Sequence, residues 1–182
     1  MIEAIIGVAG TVIGTILGWV LARLNTGRLY VSLADYDIQC YRTDDLTHIS
    51  GKAKHELYGV RFQFTIRLYN SFQINRAIRD CELVFIDRQG AEIGTDKVKD
   101  YSTGHSFGGG VRYDELSVVN IPGYESKDIN AITYVSDIDM LYRTGRIEFR
   151  YKTDKLKTKK LDYKQYDFTT IPRISEGGSS NG

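Results

Sequence analysis

LYGVRFQFTIRLYN, residues 57–70, alternates without interruption from its fourth position: Val60, Phe62, Phe64, Ile66 and Leu68 fall on one side, and Arg61, Gln63, Thr65, Arg67 and Tyr69 on the other. Side chains of a strand point in turn to its two faces, so this period of two describes an antiparallel strand with one face in the core and one in water. The same reading extends outward in both directions. Leu29 to Tyr36 alternates as a strand, and the polar stretch Arg42 to Lys54 reads as a loop. Asn70 to Asn75 is a connection, Arg79 to Asp87 a strand with Cys81, Leu83 and Phe85 on one face, and Asp87-Arg-Gln-Gly90 a turn before a shorter strand from Ala91 to Lys99. Tyr101 to Gly110, YSTGHSFGGG, reads as a flexible loop, and Val111 to Asn120 as one strand stopped by Ile121-Pro122-Gly123. Ile129 to Val135 follows, Asp137 to Tyr142 reads as a short helical turn, and Arg146 to Thr153, Leu156 to Tyr163 and Tyr166 to Ile171 complete the strands.

Short strands separated by turn signals, with no long helix among them, predict a mainly β fold. The expected architecture over residues 28–172 is one antiparallel β-sandwich or partly closed barrel, followed by a disordered tail at residues 173–182, ISEGGSSNG preceded by Arg173. The 13 tyrosines and only two prolines suit half-buried pleated surfaces.

Upstream, Ala4 to Ala22, AIIGVAGTVIGTILGWVLA, carries no charge. A bilayer core of about 30 Å needs about 20 mostly apolar residues in a helix, and residues 1–27 read as a single transmembrane helix. A cleaved signal peptide would have a basic start and a small-residue cleavage site, whereas this chain opens Met-Ile-Glu. Gly7, Gly10, Thr11, Gly14, Thr15 and Gly18 fall on one arc of that helix, and Gly10-x-x-x-Gly14-x-x-x-Gly18 is two overlapping small-residue repeats that let backbones approach closely. The stripe predicts self-association, with Thr11 and Thr15 at its margin as interhelical hydrogen-bond or pore-lining candidates. Arg23 and Arg28 flank the helix on one side and Glu3 on the other, so the expected orientation in a bacterial inner membrane is N-terminus outside and β domain in the cytoplasm. Trp19 sits where an interfacial indole is expected, and Asn25-Thr26-Gly27 would end the helix with Gly27 as a left-handed stop.

The net charge of +1 hides an uneven distribution: residues 143–164 carry nine basic and three acidic side chains. Arg143, Arg146, Arg150, Lys152, Lys155, Lys157, Lys159 and Lys160, with Lys164 beyond them, are the candidate contacts for anionic lipid or for a nucleotide or oligonucleotide ligand. Edge-strand protection by lysine is the plainer alternative. Ile147, Phe149 and Tyr151 alternate there against Arg146, Glu148, Arg150 and Lys152.

Cys40 and Cys81 belong to no C-x-x-C pair, and His48, His55 and His105 have no metal-ligand spacing. Gly108-Gly109-Gly110 lacks the Gly-Lys-Ser/Thr ending of a phosphate loop; with His105 it is a weak regulatory candidate. No nucleophile elbow or carboxylate pair stands out, so neither an enzyme nor a cofactor or metal is expected.

Glu3-Ala4-Ile5-Ile6-Gly7, Gly10-Thr11, Gly14-Thr15 and Gly18-Trp19 resemble the opening of a group of small bacterial membrane proteins built as a helix followed by strands. The overall plan is similar to that of antiphage membrane effectors such as the Hailong channel. That resemblance implies a homo-oligomeric pore gated by a cytoplasmic domain that senses a nucleotide-type signal, and it carries over no binding residue. A membrane-tethered module that recruits a cytoplasmic protein partner is the alternative.

Overall fold

The computed structural model describes residues 11–20, 27–42, 57–108, 110–163 and 167–168. Residues 11–20 (α1) are helical and all exposed. Among the described residues no helix is long and apolar enough to cross a membrane. The rest of the expected span, with Gly7 and Gly10, lies outside the described residues, as do most of the Arg42 to Lys54 loop, most of the Tyr166 to Ile171 strand and the tail.

Among the described residues ten strands and a second short helix follow: β1 (Leu29–Arg42), β2 (Leu57–Asn70), β3 (Arg76–Asp87), β4 (Glu92–Lys97), β5 (Lys99–Phe107), β6 (Gly110–Glu115), β7 (Val118–Ile121), β8 (Ser126–Val135), α2 (Ile138–Arg143), β9 (Thr144–Thr153) and β10 (Thr158–Asp162). One sheet has the order β1-β2-β8-β5-β6 and the other β10-β9-β3-β4, with β7 paired to β3. Lettering β1, β2, β3, β4, β5, β8, β9 and β10 as A, B, C, C′, D, E, F and G gives sheets A-B-E-D and G-F-C-C′. That is the immunoglobulin strand order, a β-sandwich and not a closed barrel.

The core is the apolar side of each alternation. Val60, Phe62, Phe64, Ile66 and Leu68 of β2 are all buried, as are Leu83 and Phe85 of β3 and Ile147 and Phe149 of β9. Strands B and F, which antibody domains join by a disulfide, here meet through Phe64 and Phe149, edge to face with centroids 5.9 Å apart. Cys81 is buried, and burial pushes its thiol up to about 12, so it stays protonated and inert. α2 is the expected helical turn, with the Asp137 carboxylate accepting from the Met140 N–H at 2.9 Å.

Four expectations are corrected. Residues 101–107 are strand, not flexible loop: β5 and β6 form a hairpin in which residues 101–104 bulge out between Asp100 and His105. Ser102 N–H donates to the Asp100 carboxylate at 2.9 Å and Asp114 N–H to Thr103 Oγ1 at 2.8 Å, so the excursion is bonded in place. Gly108, at φ +53, makes the turn. Val111 to Asn120 is two strands in different sheets, because the chain crosses at Leu116, whose N–H donates to Val98 O at 2.9 Å, and at Ser117, whose carbonyl accepts from Asp80 N–H at 3.0 Å. β1 is longer than read, continuing to Arg42 past a bulge at Asp35 (φ +52). Gly27 is not left-handed; it is glycine because a Cβ there would collide with Ser71 O and the Phe72 backbone.

Candidate functional site

The basic segment divides across the sandwich. Arg143 lies exposed in the last turn of α2. In the β9–β10 pair Lys160 is opposite Arg150 and Lys159 opposite Tyr151. Opposite residues share a face, so Arg146, Arg150, Lys152 and Lys160 lie on the outer face, while Lys159 projects to the other side. Lys155 and Lys157 sit in the turn between the strands.

The outer-face cations are largely spoken for. Glu148, read from the alternation as a wet-face residue, has a side chain only 2% exposed. Its Oε1 meets Arg146 Nη2 at 3.0 Å and Lys160 Nζ at 3.3 Å, and its Oε2 meets Arg150 Nη2 at 3.1 Å. Burial opposes its ionisation, but the hydrogen bonds from Arg150 and Lys160 outweigh that and hold the carboxyl below its ordinary value. Arg150 reaches further to Glu92 at 2.6 Å, and Lys152 pairs with Asp80 at 3.0 Å. A cleft of about 190 Å³ beside these residues is lined by Asp80 and Glu82 as well as Lys97, Arg150 and Lys152, so its charge is mixed. Arg143, Lys155, Lys157 and Lys159 make no ion pair among the described residues.

A different concavity lies on the outer face of the A-B-E-D sheet. It has a volume of about 500 Å³ and is lined by Tyr41, Arg61, Lys99, Val111, Tyr113, Ile132, Thr133 and Tyr134. Its walls come from all five strands of that sheet, and the register explains the assembly. Arg61 is opposite Gln39 on β1 and Tyr134 on β8, and Lys99 of β5 is opposite Ile132, so the wet sides of neighbouring strands pool there. Arg61 Nη2 donates to Gln39 Oε1 at 2.5 Å, and Gln39 Nε2 to Asp37 Oδ2 at 2.8 Å. The guanidinium carbon lies 5.9 Å from the Tyr41 ring centre, within cation–π range. Tyr41 and Tyr134 rings are 5.9 Å apart, and Tyr101 stacks on Tyr113 at 5.5 Å. Gly59 makes room for this wall: a Cβ there would strike the Tyr134 hydroxyl. Arg61 Nε is shut from solvent without an acceptor among the described residues, which leaves a donor in deficit at the groove. Cation, tyrosine faces and an apolar floor together suit a small anionic ligand with a flat or apolar body.

Sequence reasoning missed this groove. The available signal was Arg61 on the wet side of β2 and Tyr134 interrupting the apolar run of β8, but five strands had to be placed in order to join them. His105 stands exposed on β5 opposite Arg112 and is not among the residues that line the groove; His48, His55 and Gly109 lie outside the described residues. In α1, Thr15 Oγ1 donates to Thr11 O at 2.8 Å, so its hydroxyl proton is used within the helix. A Cβ added at Gly14 or Gly18 meets nothing within 4 Å.

Among solved structures the chain is similar to the putative ApaA protein from Bordetella pertussis, 8% identical over 77% of this chain and 91% of that one, with a TM-score of 0.35. It is similar also to the structural genomics target SoR45, 11% identical over 77% and 83%, with a TM-score of 0.36. No curated protein matches. The family model described as the YopI Ig-like domain matches residues 27–164, which take in all the described strands. With the A-B-E-D and G-F-C-C′ sheets built from those same residues, the chain belongs to the YopI Ig-like domain family.

Proposed function

We propose that this protein is a binding module held at the bacterial plasma membrane by one N-terminal helix, with the groove around Arg61 as its site and the Ig-like domain on the cytoplasmic side. The observation that carries the reading is the groove itself: a cavity of ligand size lined by three tyrosines and two cations. The β9–β10 basic segment is the weaker candidate for an anion, since four of its cations already have carboxylate partners. A nucleotide is the best chemical fit, its base against the tyrosines and its phosphate toward Arg61 and Lys99. The test is thermal unfolding of the full chain in detergent against nucleoside monophosphates and cyclic dinucleotides. A ligand at a hundred times its Kd stabilises by about 2.7 kcal/mol. Arg61→Ala removes a charge-assisted contact of about 1.5–3 kcal/mol, weakening binding roughly tenfold to a hundredfold. Absence of any shift across the panel, or equal shifts in the Arg61→Ala chain, would remove the groove from consideration.

The glycine stripe favours a second reading in which the module is also a homo-oligomeric effector. Small residues recurring at every fourth position, Gly10, Gly14 and Gly18, are what close helix contact requires. Gly14→Leu is expected to abolish the oligomer seen by crosslinking in native membranes, while Ile16→Ala, on the opposite side of the helix, leaves it unchanged. An oligomer that survives Gly14→Leu rules out packing through that stripe.

A further inference from the structure

We propose that the end of the sandwich nearest the N-terminal helix is a membrane-docking surface, with Ile74, Tyr124 and Leu156 entering the interface and Arg28, Lys155 and Lys157 meeting anionic headgroups. This rests on the anchor reading of residues 4–22. The last described residue of α1 and the first of the domain are seven apart, a reach of at most about 25 Å. Arg28 is tied to the domain end by Ser71, whose N–H donates to Arg28 O at 3.0 Å and whose Oγ accepts from Arg28 N–H at 2.8 Å.

Three connections meet at that end. β1 begins opposite Asn70, β7 ends opposite Arg76, and β9 ends opposite Ile78, which gathers residues 71–75, 122–125 and 154–157. Each carries a large apolar side chain out into solvent: Ile74 is 51% exposed, Tyr124 60% and Leu156 69%. Tyr124 and Leu156 hold left-handed backbone, φ +58 and +55, a conformation unusual for such residues and one that projects them from tight turns.

The platform beneath them is stiff. Buried Asn70 donates its amide to Ile74 O at 2.8 Å and to Pro122 O at 3.0 Å, joining two of the connections. Asp154 accepts from Ala77 N–H at 2.7 Å and Arg76 at 2.8 Å, and Arg76 lies over the Phe72 ring at 5.1 Å, joining the third. Exposed apolar tips on a rigid base, beside two lysines that make no ion pair among the described residues, with Glu125 exposed and Asp154 neutralised by Arg76, match the chemistry of an anionic bilayer surface. Lys155 and Lys157 thereby acquire the lipid role, separate from the Glu148 cluster.

The experiment places a bimane at Ile74→Cys, Leu156→Cys or, at the far end, Gln89→Cys, each in the full chain carrying Cys40→Ser, in nanodiscs with spin-labelled lipid as quencher. With phosphatidylserine present, the probes at 74 and 156 are expected to be quenched several-fold more than the probe at 89. Replacing both Lys155 and Lys157 by Glu, or using phosphatidylcholine alone, should remove most of the excess. Equal quenching at all three positions overturns docking while leaving the anchor intact. A chain that does not enter the discs overturns the anchor and the docking together.

Discussion

Phe64→Ala is expected to lower the unfolding free energy by about 4 kcal/mol, the usual cost of emptying a phenylalanine site that cannot collapse. Phe64 sits where the two sheets touch. Its ring is edge to face with Phe149 across the core and with Tyr163 at 5.1 Å, and Phe62 beside it meets Phe85, Tyr163 and Phe168 in the same manner. Such pairs add about 0.5–1.5 kcal/mol each beyond the area they bury. A domain of this size holds roughly 5–15 kcal/mol in all, so the loss is a large fraction of the whole. Tyr163→Phe is the contrasting arm. The Tyr163 hydroxyl is buried without a hydrogen-bond partner among the described residues, and burial pushes its pKa well above the ordinary phenol value. Removing that oxygen should cost nothing or stabilise slightly. Urea midpoints of the full chain in detergent measure both; a Phe64→Ala loss below about 1 kcal/mol would mean the sheets do not close at that point.

The sandwich was legible because its core strands repeat one local rule. In β2 every second residue is buried, so the sequence period and the sheet period coincide, whereas β8 and β9, with three successive buried residues each, keep that period only in part. What local reading lost were the places where a distant partner decides. YSTGHSFGGG has the composition of a loop, yet β6 pairs with it and the Asp100 and Thr103 side chains satisfy its bulge, so tertiary pairing overrides propensity. The crossing at Leu116 and Ser117 is set by bonds to Val98 and Asp80, residues 18 and 37 positions away, and no alternation records them. The groove is the extreme case: Tyr41, Arg61, Tyr134, Lys99 and Tyr113 are each unremarkable surface residues of separate strands until the strand order brings them to one face.

Glu148→Ala is the second large effect, expected to cost about 2–3 kcal/mol, well above the 1 kcal/mol or less of an exposed pair such as Arg67 with Asp35. The difference lies in burial. The Glu148 carboxylate is closed off from water and serves three cations, so its loss leaves Arg146, Arg150 and Lys160 facing one another, with Arg150 still paired to Glu92. The cations can swing into solvent, which keeps the cost below that of a fully buried pair. The pH dependence identifies the cause. Glu148 ionises more readily in the folded chain than in the unfolded one, where its pKa is about 4.3. Its contribution is therefore complete above that value and is lost as pH falls through the lower folded value. Asp154 acts in the same direction: burial raises its pKa, but the Ala77 N–H and Arg76 bring it below the ordinary range. Stability of the wild-type chain should accordingly fall on acidification, and Glu148→Gln should flatten part of that fall, so the gap between the two chains narrows from neutral pH to about 3. A gap that stays constant across that range would assign the loss to packing and not to charge, and would release the β9–β10 cations to serve as an anion site after all.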